Sequence, residues 1–136
     1  MRKWIWILAA LVGLGISCTA WAQQNAPAAP TATIKRVLLQ RLDVPASNYE
    51  TVTATAELLA NASAGRHTHP GPETGYMLEG ELTILIDGKP PLTLKPGDTY
   101  QIPSGAIHDV RAGDKGGKVF AVYIIEKGKP LASPAP

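Results

Sequence analysis

The chain has 136 residues, enough for one modest domain, and a formal charge of +2 at pH 7. Arg2 and Lys3 account for that whole excess, so the remainder is balanced and offers no basic patch for a nucleic acid and no charged tail. One cysteine, Cys18, excludes a disulfide within the chain.

In chain order, Arg2-Lys3 precedes the apolar run Trp4 to Ile16, and Ala20-Trp21-Ala22 follows. A charged start, an apolar middle and an A-x-A close predict a signal peptide over residues 1–22, cleaved after Ala22. The mature protein would then be periplasmic or secreted, with no membrane attachment and no cysteine left. The same stretch has two competing readings. Trp4 to Ala22 is nearly long enough for an uncleaved anchor, although Gly13, Gly15, Ser17 and Thr19 weaken it. Lipidation of Cys18 is the other, and Gly15-Ile16-Ser17 fits that signal poorly.

Residues 23–33 (QQNAPAAPTAT) read as an Ala/Pro-rich linker, and 128–136 (GKPLASPAP) as a flexible tail. The folded unit is expected over 34–127. Within it, Ile34 to Gln40 and Glu50 to Leu59 carry the Thr, Val and Leu content and partial alternation of strands. Leu82 to Ile86 leads into Asp87-Gly88, a hairpin dipeptide. Pro91 to Leu94 returns to Lys95-Pro96-Gly97-Asp98, with Pro and Gly placed for a type II turn. Thr99 to Ile102 is a further strand before Pro103-Ser104-Gly105. Val119 to Ile125 (VFAVYII) predicts a last strand, buried on both faces. No helical period and no internal repeat is present. Short strands punctuated by Gly and Pro predict an all-β antiparallel barrel or sandwich.

The chemistry concentrates at three histidines. His67 and His69 are two residues apart, hence on one face of an extended chain, and Glu73 follows the kink Pro70-Gly71-Pro72. His108 comes just after the Pro-x-Gly turn. Three imidazoles and one carboxylate suit a divalent first-row metal ion, once closure of a small barrel brings the two segments together.

These segments resemble the two motifs of the cupin family. His67-Thr68-His69, three residues, Glu73, six residues and Gly80 match the first; Gly97, Pro103, Gly105 and His108 match the second. Two positions depart: Asn61 stands where the first motif opens with Gly, and Ala112 where the second ends in Asn. Asn tolerates the left-handed backbone that Gly would supply. The resemblance spans about Glu50 to Ile125 and implies a small double-stranded β-helix (cupin, or jelly-roll, barrel) that forms a homodimer. It also implies His67, His69, Glu73 and His108 as ligands of one divalent transition metal per chain, which could be Fe, Mn, Ni, Zn or Cu, with Thr68 pointing away.

Tyr76, Met77, Tyr100, Gln101 and Tyr123 are candidates to line the pocket, although aromatic and Met side chains more often fill a core. Arg66 and Arg111 flank the ligand segments and could take a substrate carboxylate, with a solvated surface role as the plainer reading. The expected function is a mononuclear metal enzyme of dioxygenase, isomerase or lyase type on a small organic substrate. The competing class is a non-catalytic metal- or ligand-binding sensor, since no separate base or nucleophile stands beside the histidines. A solvated cavity would favour the first class, and a barrel plugged by large side chains the second.

Overall fold

A computed structural model describes residues 33–136; the segments read as signal peptide and most of the linker lie outside them. Eight strands follow in order: β1 (Ile34–Asp43), β2 (Tyr49–Leu58), β3 (His67–Thr68), β4 (Glu73–Ile86), β5 (Leu92–Leu94), β6 (Thr99–Ile102), β7 (His108–Glu126) and β8 (Ser133–Pro134). They form one antiparallel sheet, and no helix occurs among the described residues. The frame is β4 against β7, paired from Glu73↔Tyr123 to Ile86↔His108. That ladder slips between Met77 and Glu79 and again between Gly80 and Leu82. Such bulges bend a sheet, and here they let it curl around its own apolar face.

Alternation decides what lies inside. On β2, Val52, Ala54, Ala56 and Leu58 are buried, with the threonines between them less so. One buried cluster gathers Leu58, Met77, Leu82, Ile84, Leu94 and Ile102. A second holds Val52, Ala54, Ala121, Tyr123 and Ile125. The VFAVYII run was expected to be buried on both faces and is not. Val119, Ala121, Tyr123 and Ile125 face inward, whereas Phe120 and Val122 are half-buried and Ile124 is 41% exposed. A single curled sheet has one interior, so only every second residue of β7 reaches it.

The motif glycines Gly80, Gly97 and Gly105 all have positive φ. Asn61, which replaces a glycine of the family pattern, does too, at φ 58°. A short amide side chain therefore holds the turn. Ala112 sits mid-ladder opposite Leu82, so no turn exists at that position.

The segment read as a tail beyond Lys127 instead rejoins the sheet. β8 pairs with β3 through His67↔Pro134 and Thr68↔Ser133. At the other end, β1 pairs only with β2 and leaves Val37, Leu38, Leu39 and Leu42 exposed.

Candidate metal centre

Each histidine reaches the centre through a different piece of backbone logic. His67 and His69 share a face by the two-residue period. His67 lies directly opposite His108 in the β3–β7 ladder, which joins two residues 41 positions apart in the chain. Glu73 opens β4 opposite Tyr123 of β7 and Ile102 of β6. The kink between His69 and Glu73 is pressed against β7. A Cβ on Gly71 would stand 1.6 Å from the carbonyl oxygen of Ile124, and Ile124 donates its N–H to the Pro72 carbonyl at 3.1 Å. Only glycine lets the chain turn that tightly against the strand.

The three rings pack together, with centroids 4.1 Å apart for His67 and His108, 4.9 Å for His67 and His69, and 5.1 Å for His69 and His108. Their outer nitrogens are all anchored to main-chain carbonyls: His67 Nδ1 to Gly65 at 2.7 Å, His69 Nδ1 to Leu131 at 2.6 Å, and His108 Nδ1 to Ala106 at 3.0 Å. A carbonyl only accepts, so each Nδ1 must carry the proton, and in the neutral ring each Nε2 presents a lone pair. One ligand atom from each ring lies within 4.8 Å of the others. The Nε2 atoms of His69 and His108 are buried without a hydrogen-bond partner.

The carboxylate tightens the case. Glu73 Oε2 lies 2.8 Å from His69 Nε2 and 4.0 Å from His108 Nε2. The first distance is that of a hydrogen bond, but with Nδ1 holding the ring proton against the Leu131 carbonyl, neutral His69 has none on Nε2 to donate. A lone pair and a carboxylate oxygen at 2.8 Å repel unless a positive species lies between them. Two orphaned buried imidazole nitrogens, a third ring beside them and a carboxylate oxygen next to two of the three are a donor set that a divalent cation satisfies, so the residues fit the ion that the sequence motifs imply.

The other carboxylate oxygen is held. Tyr100 donates its hydroxyl to Glu73 Oε1 at 2.7 Å. Room for that ring comes from Gly75, its ladder partner, where a Cβ would stand 2.4 Å from the tyrosine ring. Burial is the largest influence on Glu73 and works against its charge. A proton on His69 Nε2, when that ring carries one there, and the Tyr100 hydroxyl outweigh it and hold the carboxyl below its usual range. Burial is also the chief reason that His67 and His108 fall below the ordinary imidazole value. All these directions favour neutral rings and an ionised carboxylate, the protonation states a metal requires. Burial, followed by the Glu73 charge, pushes the Tyr100 and Tyr123 hydroxyls well up, so both keep their protons.

The interior cavity beside these groups is small, about 30 Å³, bounded by His67, Glu73, His108, Tyr100 and Tyr123. It has room for an ion or about one water, not for an organic molecule. A wider depression of about 380 Å³ opens outside it, between β1, the loop before β3 and Ala132 to Pro134. Ile34, Arg36, Ala64 and His67 border both spaces.

The cupin domain pattern matches residues 54–124, from the middle of β2 to near the end of β7. The chain belongs to the cupin family. Dimethylsulfoniopropionate lyase DddQ of Ruegeria pomeroyi is 43% identical over 68 residues, half of this chain but only 32% of the lyase. Its crystal structure superposes with a TM-score of 0.58 at 26% identity, covering 65% of this cupin and 44% of the lyase. This chain therefore spans less than half the length of that relative. A cupin superfamily protein from Desulfitobacterium hafniense superposes equally well, TM-score 0.58, over 72% of this chain and 83% of its own, at 19% identity.

Within this cupin, Tyr100 and Tyr123 border the interior cavity, and Met77 is fully buried in the neighbouring apolar cluster. Tyr76 and Gln101 turn to the outer face instead, Tyr76 being 46% exposed. Adjacent strand residues cannot both face inward: Met77 excludes Tyr76, and Tyr100 excludes Gln101. Neither flanking arginine is available. Arg66 forms a two-pronged pair with Asp87 at 2.9 and 2.8 Å, and Arg111 contacts Asp109 at 3.2 Å. Two participants carried no sequence signal strong enough to pick out. One is the Leu131 carbonyl, which orients His69 from the returning C-terminal segment. The other is Arg36, an arginine in register with buried Ala56 between Ile34 and Leu38 on the same strand face.

Proposed function

We propose that this cupin is an exported, metal-dependent enzyme of the lyase type acting on a small organic acid, with His67, His69, Glu73 and His108 holding one divalent transition metal ion. The convergence of three anchored imidazoles, two of them beside the Glu73 carboxylate, carries the reading. Similarity to a dimethylsulfoniopropionate lyase supports elimination among the cupin chemistries and suggests the first compound to try. When bound, a divalent ion supplies Lewis acidity toward a substrate oxygen. The chain's own groups do the rest. Tyr100 fixes one oxygen of Glu73 and so aims the other at the histidines. Tyr123, edge-on to His69 at 4.9 Å, keeps its proton and can donate a hydrogen bond into the cavity. The apolar lining around them limits water to a space of about 30 Å³.

Elimination from dimethylsulfoniopropionate would break the C–S bond and the C–H bond at the carbon next to the carboxylate, releasing dimethyl sulfide, acrylate and one proton. Protein loaded in turn with Fe, Mn, Ni, Zn and Cu is expected to release both products with at least one ion, and His108→Ala to release neither. The near-filled interior favours a second reading, a metal- or ligand-binding module without turnover. Tight stoichiometric metal binding with no turnover of this or related acids would select it.

Export and assembly belong to the same proposal. β1 presents ten residues of largely exposed, partly apolar strand with an unpaired edge, a surface that a second copy would cover. Protein recovered from its own export compartment is expected to have the mass of a chain starting at Gln23 and to sediment as a dimer at tens of micromolar, a concentration well above the Kd of about 1 μM or less typical of specific dimers. A mass that retains Met1 to Ala22, or a monomer, would contradict the corresponding part.

A further inference from the structure

Deepening the reading of this site as that of an enzyme on small organic acids, we propose that Arg36 is its substrate-anchoring residue, binding a single carboxylate group at the neck between the outer depression and the metal centre. Three observations lead there. First, the interior space of about 30 Å³ cannot take an organic molecule, so most of a substrate must lie outside it. A depression of about 320 Å³ meets that space only at Glu73, whereas the one of about 380 Å³ shares Ile34, Arg36, Ala64 and His67 with it and is the better approach. Arg36 borders both spaces.

Second, the strand register points the side chain the right way. Arg36 is paired with Ala56, whose side chain is buried in the core, and it follows Ile34 by two residues on the same face. Burial dominates the shifts of His67, Tyr100 and Tyr123, but the Arg36 charge is also felt at all three, which places the guanidinium near the centre.

Third, the guanidinium has no acidic partner; the side-chain hydrogen bond it makes is with the neutral Tyr123 hydroxyl at the cavity wall. Every other arginine among the described residues is paired with a carboxylate: Arg41 with Glu50, Arg66 with Asp87, Arg111 with Asp109. Arg36 pairs with none of the described acids, and residues 1–32 contain no Asp or Glu to supply one. A planar fork of donors matches one carboxylate in a two-pronged contact. Ile34 and Ala64 beside it offer only apolar contact, suited to a short carbon chain. Arg66 also borders the depression but is spent on Asp87 and on the Pro136 carbonyl. One free fork fits a monocarboxylate better than a phosphate or a dicarboxylate, whose second charge would find no partner.

The experiment is calorimetric titration of propionate, and of neutral propionamide, into the full chain and its Arg36→Gln and Arg36→Lys variants, with and without stoichiometric cobalt(II). Arg36 is exposed, so neither variant should disturb folding. Propionate is expected to bind more tightly than propionamide. Arg36→Gln should lose at least about tenfold, the range of a charged two-pronged contact, and Arg36→Lys should lose less. Cobalt affinity should be the same in all three proteins. Equal propionate affinity in wild type and Arg36→Gln, no preference over propionamide, or no propionate binding at all would overturn the assignment. Failure of wild type to hold cobalt would instead defeat the metal-enzyme reading, and Arg36-dependent propionate binding without cobalt would still support the anchor.

Discussion

Replacing His108 by alanine is expected to lower metal affinity by more than about 100-fold while the barrel stays folded. Loss of a mere supporting partner around a metal commonly costs 10- to 100-fold, and removal of a ligand must exceed that. His108 is a demanding choice because it comes from β7, opposite His67 in the ladder, and not from the segment carrying the other three groups. Apolar clusters on either side of the centre hold the sheet without it. Thr68→Ala, whose side chain lies on the other face of β3, should bind metal as wild type does. Acid has a definite sign here. Donation needs neutral rings, and burial keeps His67 and His108 below the ordinary 6.5. Affinity should therefore hold as the pH falls through 6.5 and drop only below it, where an exposed cluster of histidines would already have weakened. Metal titrations of both variants across pH, with circular dichroism for strand content, check these points; stoichiometric, undiminished binding by His108→Ala would exclude it as a ligand.

The second large effect is structural. Gly71→Ala is expected to lower the thermal midpoint by more than about 10 °C, corresponding to about 3 kcal/mol at the upper range for forced overpacking in a domain of this size. The new methyl would collide with the Ile124 carbonyl, a rigid piece of β7 backbone, and the kink would have to lift off the strand. Glu73 follows two residues later, so metal affinity should fall with stability. Gly113→Ala is the control. Its Cβ meets the Glu81 side chain at 3.3 Å, a flexible neighbour that can move aside. Melting curves of the two variants decide it, and a Gly71→Ala midpoint within a few degrees of wild type would show that the kink is slack.

That His67 and His69 share a face was legible from local rules, whereas their meeting with His108 rested on the resemblance to the two cupin motifs, since no local rule pairs strands so far apart in the chain. A two-residue spacing fixes a face, and Pro-x-Gly just before His108 fixes where β7 begins. Strand extents were less legible. Gly113-Asp114-Lys115-Gly116-Gly117 has the composition of a loop, yet it lies inside β7: Gly117 pairs with Leu58 and Gly80, Ala112 pairs with Leu82, and residues 113–116 carry the strand across the register shift between them. The first half of β4 was missed as well: Thr74, Gly75, Glu79 and Gly80 dilute its alternation. The lining residues were over-counted where period two was not applied, since Tyr76 and Met77 point to opposite sides. What holds His69 could not be read at all. Its partner is a main-chain carbonyl, which no residue type announces, on a segment whose Pro-rich composition resembles a tail.

The central claim is that four side chains of this cupin hold one ion, and crystallography at the absorption edge of bound cobalt tests it most directly. The account predicts one anomalous peak per chain, at about 2.1 Å from the Nε2 atoms of His67, His69 and His108 and at a similar distance from Glu73 Oε2. A crystal grown in cobalt that shows no peak there, or a peak held by other residues, would contradict it.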